Sequence, residues 1–161
     1  MLSMAILNYT TEVPSEKSVR QIQEILVRHK ASHILTEFDD NGVLVAISFR
    51  VKTAYGLLTF RLPGNVEKIF AVMVRQNIRQ GLRTREQAAR VAWRVVKDWL
   101  EAQMAIIEAE MIDLEQIFLP FAQDAAGTTV YERMKERQFD SLTFRDTKTL
   151  RDSEPLEKPR Q

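Results

Sequence analysis

The sequence predicts a small α+β protein with an N-terminal helix, a three-stranded antiparallel meander, and a helical half dominated by one long helix. Apolar residues recur at helical spacing up to residue 29 and alternate with polar residues in segments between residues 33 and 62. Helical spacing returns from residue 66 onward. A run of strands followed by a run of helices is typical of α+β domains.

Composition limits the class of protein. The 161 residues are 45% hydrophobic and 28% charged, which is ordinary for one globular domain with a tail. The chain has no cysteine, which excludes disulfides and thiolate metal sites. The net charge of +1 gives no global argument for nucleic acid. No apolar run approaches the roughly 18 residues of a membrane helix, so we expect a cytoplasmic protein without membrane contact.

Three antiparallel strands are predicted at residues 33–38, 43–52 and 58–62. Asn41-Gly42 favours a hairpin between the first two, because both central residues of a type I′ turn need positive φ. In the second strand every other residue is apolar, which predicts one buried face. The apolar set is Val43, Val45, Ile47, Phe49 and Val51.

Capping residues place the main helices. The first helix is predicted from about Ser15 to His29, after the helix-start sequence that begins at Pro14. Asn65 caps a second helix, and Gly81 is expected to close it as a C′ glycine. Thr84 then caps the long helix, which is expected to run to about Glu110. Gln87 stands three residues after this cap and completes a capping-box pattern.

The long helix is apolar around more than half of its circumference. Its polar residues occupy an arc of about 120° and its apolar residues about 200°, whereas a surface helix needs an apolar stripe of only about 100°. We therefore expect it to pack on two sides, the second against either the second helix or another subunit of a homo-oligomer. Its tryptophans are ordinary core residues in one interpretation and interface anchors in the other. The candidate interface residues are Trp93, Trp99, Leu100 and Ile107.

The chain after the long helix is expected to complete the domain and then lose structure. Residues 112–121 remain apolar up to Pro120, and residues 130–136 favour a short last helix. Residues 1–136 are therefore predicted to form a single α+β domain. Residues 137–161 mix charges of both signs with few large apolar residues, which predicts a disordered tail.

A basic segment is the main candidate for a binding site. Several of its cations lie one helical turn apart, where like charges repel slightly. Such a grouping favours an anionic ligand such as a phosphate. The alternative is a solvated face on which Lys97 pairs with Glu101 and Arg94 with Asp98. The basic set is Arg75, Arg79, Arg83, Arg85, Arg90, Arg94 and Lys97.

The exposed face of the meander is a second candidate. An open basic sheet face can carry single-stranded nucleic acid, although such platforms normally display aromatic side chains for base stacking. Tyr55, in a turn, is the one stacking candidate. The alternative is an ordinary solvated face. The basic residues expected on this face are Arg50, Lys52 and Arg61.

No catalytic or cofactor motif is present. His29 and His33 have the spacing of two metal ligands on a helix, but a helix end is predicted between them and no third ligand is apparent. Phosphate loops and dinucleotide fingerprints are absent. No paired acid and base stand out. We expect neither an enzyme nor a bound metal or cofactor.

The long helix also carries a resemblance to a known family. Its segments TREQAARVAWR (84–94), KDW (97–99) and EAQMA (101–105) resemble a family of small uncharacterised proteins encoded in phage and prophage genomes. The resemblance implies a phage or mobile-element setting and no activity. Similar stretches elsewhere are residues 8–11, 60–63, 118–120 and 130–132.

Three functions remain open. The first is a non-enzymatic accessory protein that contacts nucleic acid through the basic segment during phage replication or recombination. The second is an oligomer that binds a small nucleotide and so sequesters a host defence signal. The third is a protein–protein inhibitor or structural component that uses the wide apolar arc and the charged tail.

Overall fold

A four-stranded antiparallel sheet and five helices make up residues 4–143, the part of the chain that the computed structural model describes. The predicted order of helix, meander and helical half is confirmed, and β4 is a strand that the sequence did not predict. The strands are β1 (Ala31–Phe38), β2 (Leu44–Thr53), β3 (Gly56–Arg61) and β4 (Ala122–Gln123). The helices are α1 (Ser15–Arg28), α2 (Val66–Arg75), α3 (Arg85–Glu108), α4 (Leu114–Phe118) and α5 (Val130–Glu136).

The structure describes the first part of the predicted tail, residues 137–143. Residues 137–143 continue from α5 as hydrogen-bonded turns, in which the N–H of Phe139 donates to the carbonyl of Met134 at 2.9 Å. The ring of Phe139 lies 5.9 Å from that of Tyr131, which holds this turn against α5. Residues 144–161 lie outside the described residues.

The sheet order is β1-β2-β3-β4, and one face of β2 packs into the hydrophobic core. Phe49 of β2 lies opposite Ile34 of β1 and Phe60 of β3. The rings of Phe49, Phe60 and Phe118 have their centroids 5.4 to 5.8 Å apart, which makes a tight aromatic centre for the core.

The predicted hairpin between β1 and β2 is present, but its turn differs. Only Gly42 has positive φ there, at 74°, so the turn is not type I′. The side chain of Asp39 organises it instead, because its Oδ1 accepts hydrogen bonds from the N–H groups of Asn41 and Val43, each at 2.9 Å. An aspartate that bonds the backbone two residues on makes a stable alternative turn.

α3 is buried on two sides within one chain. Trp93, Val96 and Leu100 belong to the cluster shared with the sheet and α1. Ala88 and Ala92 belong to a second cluster, which α2 completes together with Ile6 and Tyr9 from the N-terminal segment. The side of α3 that the sequence left open to a second subunit is therefore covered by α2.

The end of α2 corrects one prediction. Gly81 does not close this helix; it lies in a 3₁₀ turn, Gln80–Leu82. Asn77 takes the left-handed conformation at φ 51° and donates to the carbonyl of Val74 at 3.0 Å. The N–H of Ile78 donates to Met73 at 3.0 Å, which completes a Schellman motif. Asparagine is the residue that most often replaces glycine at this position, so the helix ends earlier than expected.

The start of α3 is capped as predicted, with one difference. Thr84 accepts a hydrogen bond from the N–H of Gln87 at 3.0 Å. The Gln87 side chain does not form the second hydrogen bond of a capping box, which would join it to the backbone of Thr84. Its amide donates to the carbonyls of Tyr9 and Thr11, at 3.0 and 2.8 Å. The capping box is therefore half formed, and the freed amide ties the N-terminal segment to α3.

Substituting Gly64 tests how tightly the long helix is packed. A Cβ at residue 64 would lie 2.5 Å from Cη2 of Trp93, closer than real contacts allow. We expect Gly64→Ala to lower the free energy of unfolding by about 1–3 kcal/mol, as overpacked cores do. Gly81→Ala is the matched control, because a Cβ there meets no atom within 4 Å. Urea denaturation measures both, and equal midpoints for the two variants would contradict this packing.

The link between Asp124 and α5 should depend on pH. Hydrogen bonds from the Arg133 side chain and the Thr128 N–H hold the pKa of Asp124 below its ordinary value of 3.8. A carboxylate whose pKa is lower in the folded state than in the unfolded state stabilises the fold at pH values above its unfolded pKa. That stability is lost as the pH falls through the folded pKa.

We therefore expect amide protection in residues 124–137 to fall below about pH 4 while the core stays protected. Hydrogen-exchange protection factors between pH 2 and 6 measure this. Glu132 contributes to the same segment, because hydrogen bonds from Thr129 hold its pKa below its ordinary value as well. In Asp124→Asn the pH dependence of these amides should therefore weaken without vanishing, and an unchanged profile in that variant would refute the role of Asp124.

Candidate anion-binding site

The predicted basic segment divides into paired and unpaired cations. Four of its members form ion pairs with acids of the same chain, mostly one helical turn away along α3. The internal pairing that the sequence left as an alternative is therefore present on α3. The pairs are Arg85 with Glu67 (3.0 Å), Arg90 with Glu86 (2.7 Å), Arg94 with Asp98 (3.6 Å) and Lys97 with Glu101 (2.5 Å).

The cations of α3 also contribute to packing. Arg94 donates to the Gln21 side chain of α1 at 2.9 Å and so joins the two helices. Lys97 is buried, with its ammonium 3.6 Å from Asp98 as well as bound to Glu101. The guanidinium of Arg85 lies over the ring of Phe70 at 4.8 Å. These three side chains are therefore already engaged by an amide, by acids or by an aromatic ring of the same chain.

Of the remaining three cations, Arg75 is the last residue of α2, and Arg79 and Arg83 lie in the connection from α2 to α3. Within residues 4–143, Arg75, Arg79 and Arg83 form no ion pair and no side-chain hydrogen bond. No acidic residue occurs between Glu67 and Glu86, so the local charge is uniformly positive. We call these three residues the arginine corner.

The backbone of the arginine corner is held in place. The Schellman motif fixes its start, and Ile78 buries its side chain between the exposed Arg75 and Arg79. The 3₁₀ turn follows, with the N–H of Leu82 donating to the carbonyl of Arg79 at 2.9 Å. The backbone that carries the three arginines is therefore held by internal hydrogen bonds, which lowers the backbone entropy lost when they bind a ligand.

The basic sheet face is less open than expected. Arg61 of β3 reaches across β2 to Glu37 of β1 at 3.2 Å. Ser48 of β2 lies directly opposite Arg61 and is only 2% exposed. Arg50 donates to Thr59 at 3.1 Å. The sheet face thus carries a cross-strand ion pair instead of a free platform.

The two predicted sets of basic residues lie on different sides of the molecule. Arg50, Lys52 and Arg61 project from the side of the sheet opposite Phe49 and Phe60, which face the helices. The arginine corner belongs to the helical side of the molecule. Tyr55 is well exposed, but it lies in the β2–β3 turn and not in the connection that holds the corner.

The predicted interface residues lie in or against the core of one chain. Trp93 is 1% exposed and Leu100 is fully buried, so neither side chain is accessible to a second subunit. Trp99 packs edge-on against Phe118. Ile107 is half-buried against the same cluster. All four side chains therefore contact the core of a single chain.

A groove of about 840 Å³ was missed by sequence reasoning. It runs between α1, the β1–β2 hairpin and the first turns of α2 and α3. The exposed side chains of Phe38, Val43 and Val45 line it. Val43 and Val45 belong to the set predicted as buried, which is wrong for these two because the helices do not extend over the start of β2. Rim charges of both signs, Arg20 and Glu16 among them, give it no preference for an anion.

The two histidines have separate surroundings. His29 joins the ends of α1 and α3, since its Nδ1 lies 2.8 Å from the Ile25 carbonyl and its Nε2 lies 2.8 Å from Glu108. His33 lies on β1, beyond the left-handed Lys30. Residues 4–143 contain no group of three or more metal-ligating side chains. Within the same range, every helix is too short or too polar to cross a membrane.

Comparison of the chain with protein-family models, with curated proteins and with solved structures finds no match. The resemblance of the α3 segment to a phage-encoded family therefore stays a prediction. Function has to be argued from the charges, contacts and surfaces of the chain itself.

Proposed function

We propose that this protein is a non-enzymatic accessory protein that binds nucleic acid through the arginine corner. The observation that carries the proposal is the presence of three guanidinium groups without an acid to neutralise them, Arg75 at the end of α2 and Arg79 and Arg83 in the connection that follows. A guanidinium keeps its charge at any physiological pH, and its planar fork of donors matches two phosphate oxygens at once.

The expected mode of binding is contact with the phosphate backbone. Lys68 and Arg85 extend the positive stretch on either side of the corner, although Arg85 is shared with Glu67. Backbone contacts position a protein on nucleic acid without reading its sequence. We therefore expect little sequence preference and a strong dependence on salt, since bound counterions are released.

The alternatives receive less support. A small-nucleotide site would need an enclosed pocket that includes the free arginines, but the 840 Å³ groove is lined by Arg20 and the ion-paired Arg85. A protein-inhibitor role is favoured by that same apolar groove. Its rim, however, offers no single charge sign that would select a partner.

Replacing the arginine corner should abolish most of the binding. We expect Arg75→Ala/Arg79→Ala/Arg83→Ala to weaken affinity for a fluorescent DNA duplex by roughly tenfold or more at low salt. The slope of log affinity against log salt should also become shallower by about 0.9 for each phosphate contact removed. Fluorescence anisotropy at several salt concentrations measures both quantities.

The control removes the same charge from the other side of the molecule. Arg50→Ala/Lys52→Ala/Arg61→Ala has an equal loss of three cations but leaves the arginine corner intact. Its affinity should stay close to that of the unmodified protein. Absence of binding by the unmodified protein at low salt would refute the proposal. Equal weakening by both triple variants would show that net charge, and not the corner, is responsible.

A further inference from the structure

β1 is a free edge of the sheet. It pairs with β2 on one side, and within residues 4–143 no backbone hydrogen bond engages its other side. The opposite edge, β4, is only two residues long, and Gln123 there is bridged by Thr129. β1 has eight residues and contains neither lysine nor proline, which commonly block pairing at sheet edges. It therefore presents unpaired N–H and C=O groups to another strand.

Only a short stretch of β1 is regular enough to pair with a partner strand. Irregularities at Ala31/His33 and at Glu37/Phe38 interrupt the β1–β2 ladder, which leaves His33–Glu37 as the regular stretch. Residues directly opposite each other in an antiparallel pair project from the same face. Two copies of this stretch satisfy that condition with Leu35 on the two-fold axis.

The stretch is self-complementary in that register. Glu37 of each copy lies opposite His33 of the other, which gives two acid–imidazole pairs. Leu35 lies opposite its own copy on the outer face. On the helix-facing side, Ile34 lies opposite Thr36. Polar and apolar cross-strand pairs of this kind stabilise a ladder.

Exposure along β1 agrees with a missing neighbour. Leu35 is 59% exposed within the regular stretch, and Phe38 just beyond it is 61% exposed. Ile34 and Thr36 are only half-buried on the face that packs against the helices. Thr36 and Phe38 also line the groove, so a second copy on this edge would cover one of its walls.

We propose that two copies of this chain pair antiparallel through β1, about a two-fold axis at Leu35, and join their sheets into one. The interface is isologous, as in most homodimers. It replaces α3 as the location of the expected oligomer contact. The proposal does not depend on nucleic-acid binding.

Cysteine cross-linking tests the register. The chain has no cysteine, so a single introduced thiol reports only on its own position. Cβ atoms of directly opposite residues lie about 4.5–5.5 Å apart, close to the range that a disulfide spans. We expect Leu35→Cys to form a covalent dimer under mild oxidation or with a short bis-maleimide. Leu57→Cys is the matched control, because Leu57 is 60% exposed on the same sheet face but lies on β3.

Sedimentation velocity tests the dimer itself. The unmodified protein should sediment as a dimer, and Leu57→Lys should do the same. Leu35→Lys should sediment as a folded monomer, because it places two like charges opposite each other on the axis. Circular dichroism checks its fold, which an exposed substitution should leave unchanged. A monomeric unmodified protein, a dimeric Leu35→Lys, or equal cross-linking of the two cysteine variants would overturn the proposal.

Discussion

The burial of α3 on two sides is the constraint on which the rest of the structure depends. A helix with apolar residues over most of its surface needs two covering layers, and one sheet can provide only one. The sheet and α1 cover Trp93 and Leu100, while α2 covers Ala88 and Ala92. The ring of Trp93 lies so close to Gly64 that no side chain fits there, so this contact sets how the chain passes from β3 to α2.

The same constraint decides which charges are free. Because apolar residues take most of the circumference of α3, its cations and acids share one narrow polar arc. Oppositely charged residues one turn apart in that arc meet and pair, as Arg90 does with Glu86. The α2–α3 connection lies outside the helix and has no acids of its own. The arginines that remain available to a ligand are therefore those at the end of α2 and in the connection, and the charge density of α3 alone was misleading.

Local sequence patterns predicted the helices and strands more accurately than the contacts around them. Helical and alternating periodicity identified α1, β1 to β3 and α3, and Thr84 was recognised as a cap. Periodicity says which side chains share a face, but not how far the covering layer extends, so Val45 was wrongly expected to be buried. The two-residue β4 has no period to detect. The Arg61–Glu37 bridge joins strands that are distant in the sequence, so no local pattern contains it, and none predicts that Ser48 opposite Arg61 is buried.

The proposed dimer and the proposed nucleic-acid site act on different parts of the molecule and reinforce each other. The dimer uses the edge of the sheet, and the arginine corner lies on the helical side, so neither contact excludes the other. A dimer carries two corners. A polyanion long enough to reach both is held twice, and the second contact forms at a high effective concentration. A short oligonucleotide meets only one corner and gains nothing from pairing of the chains. The length of nucleic acid at which affinity rises therefore reports the distance between the two corners, and through it the geometry of the dimer.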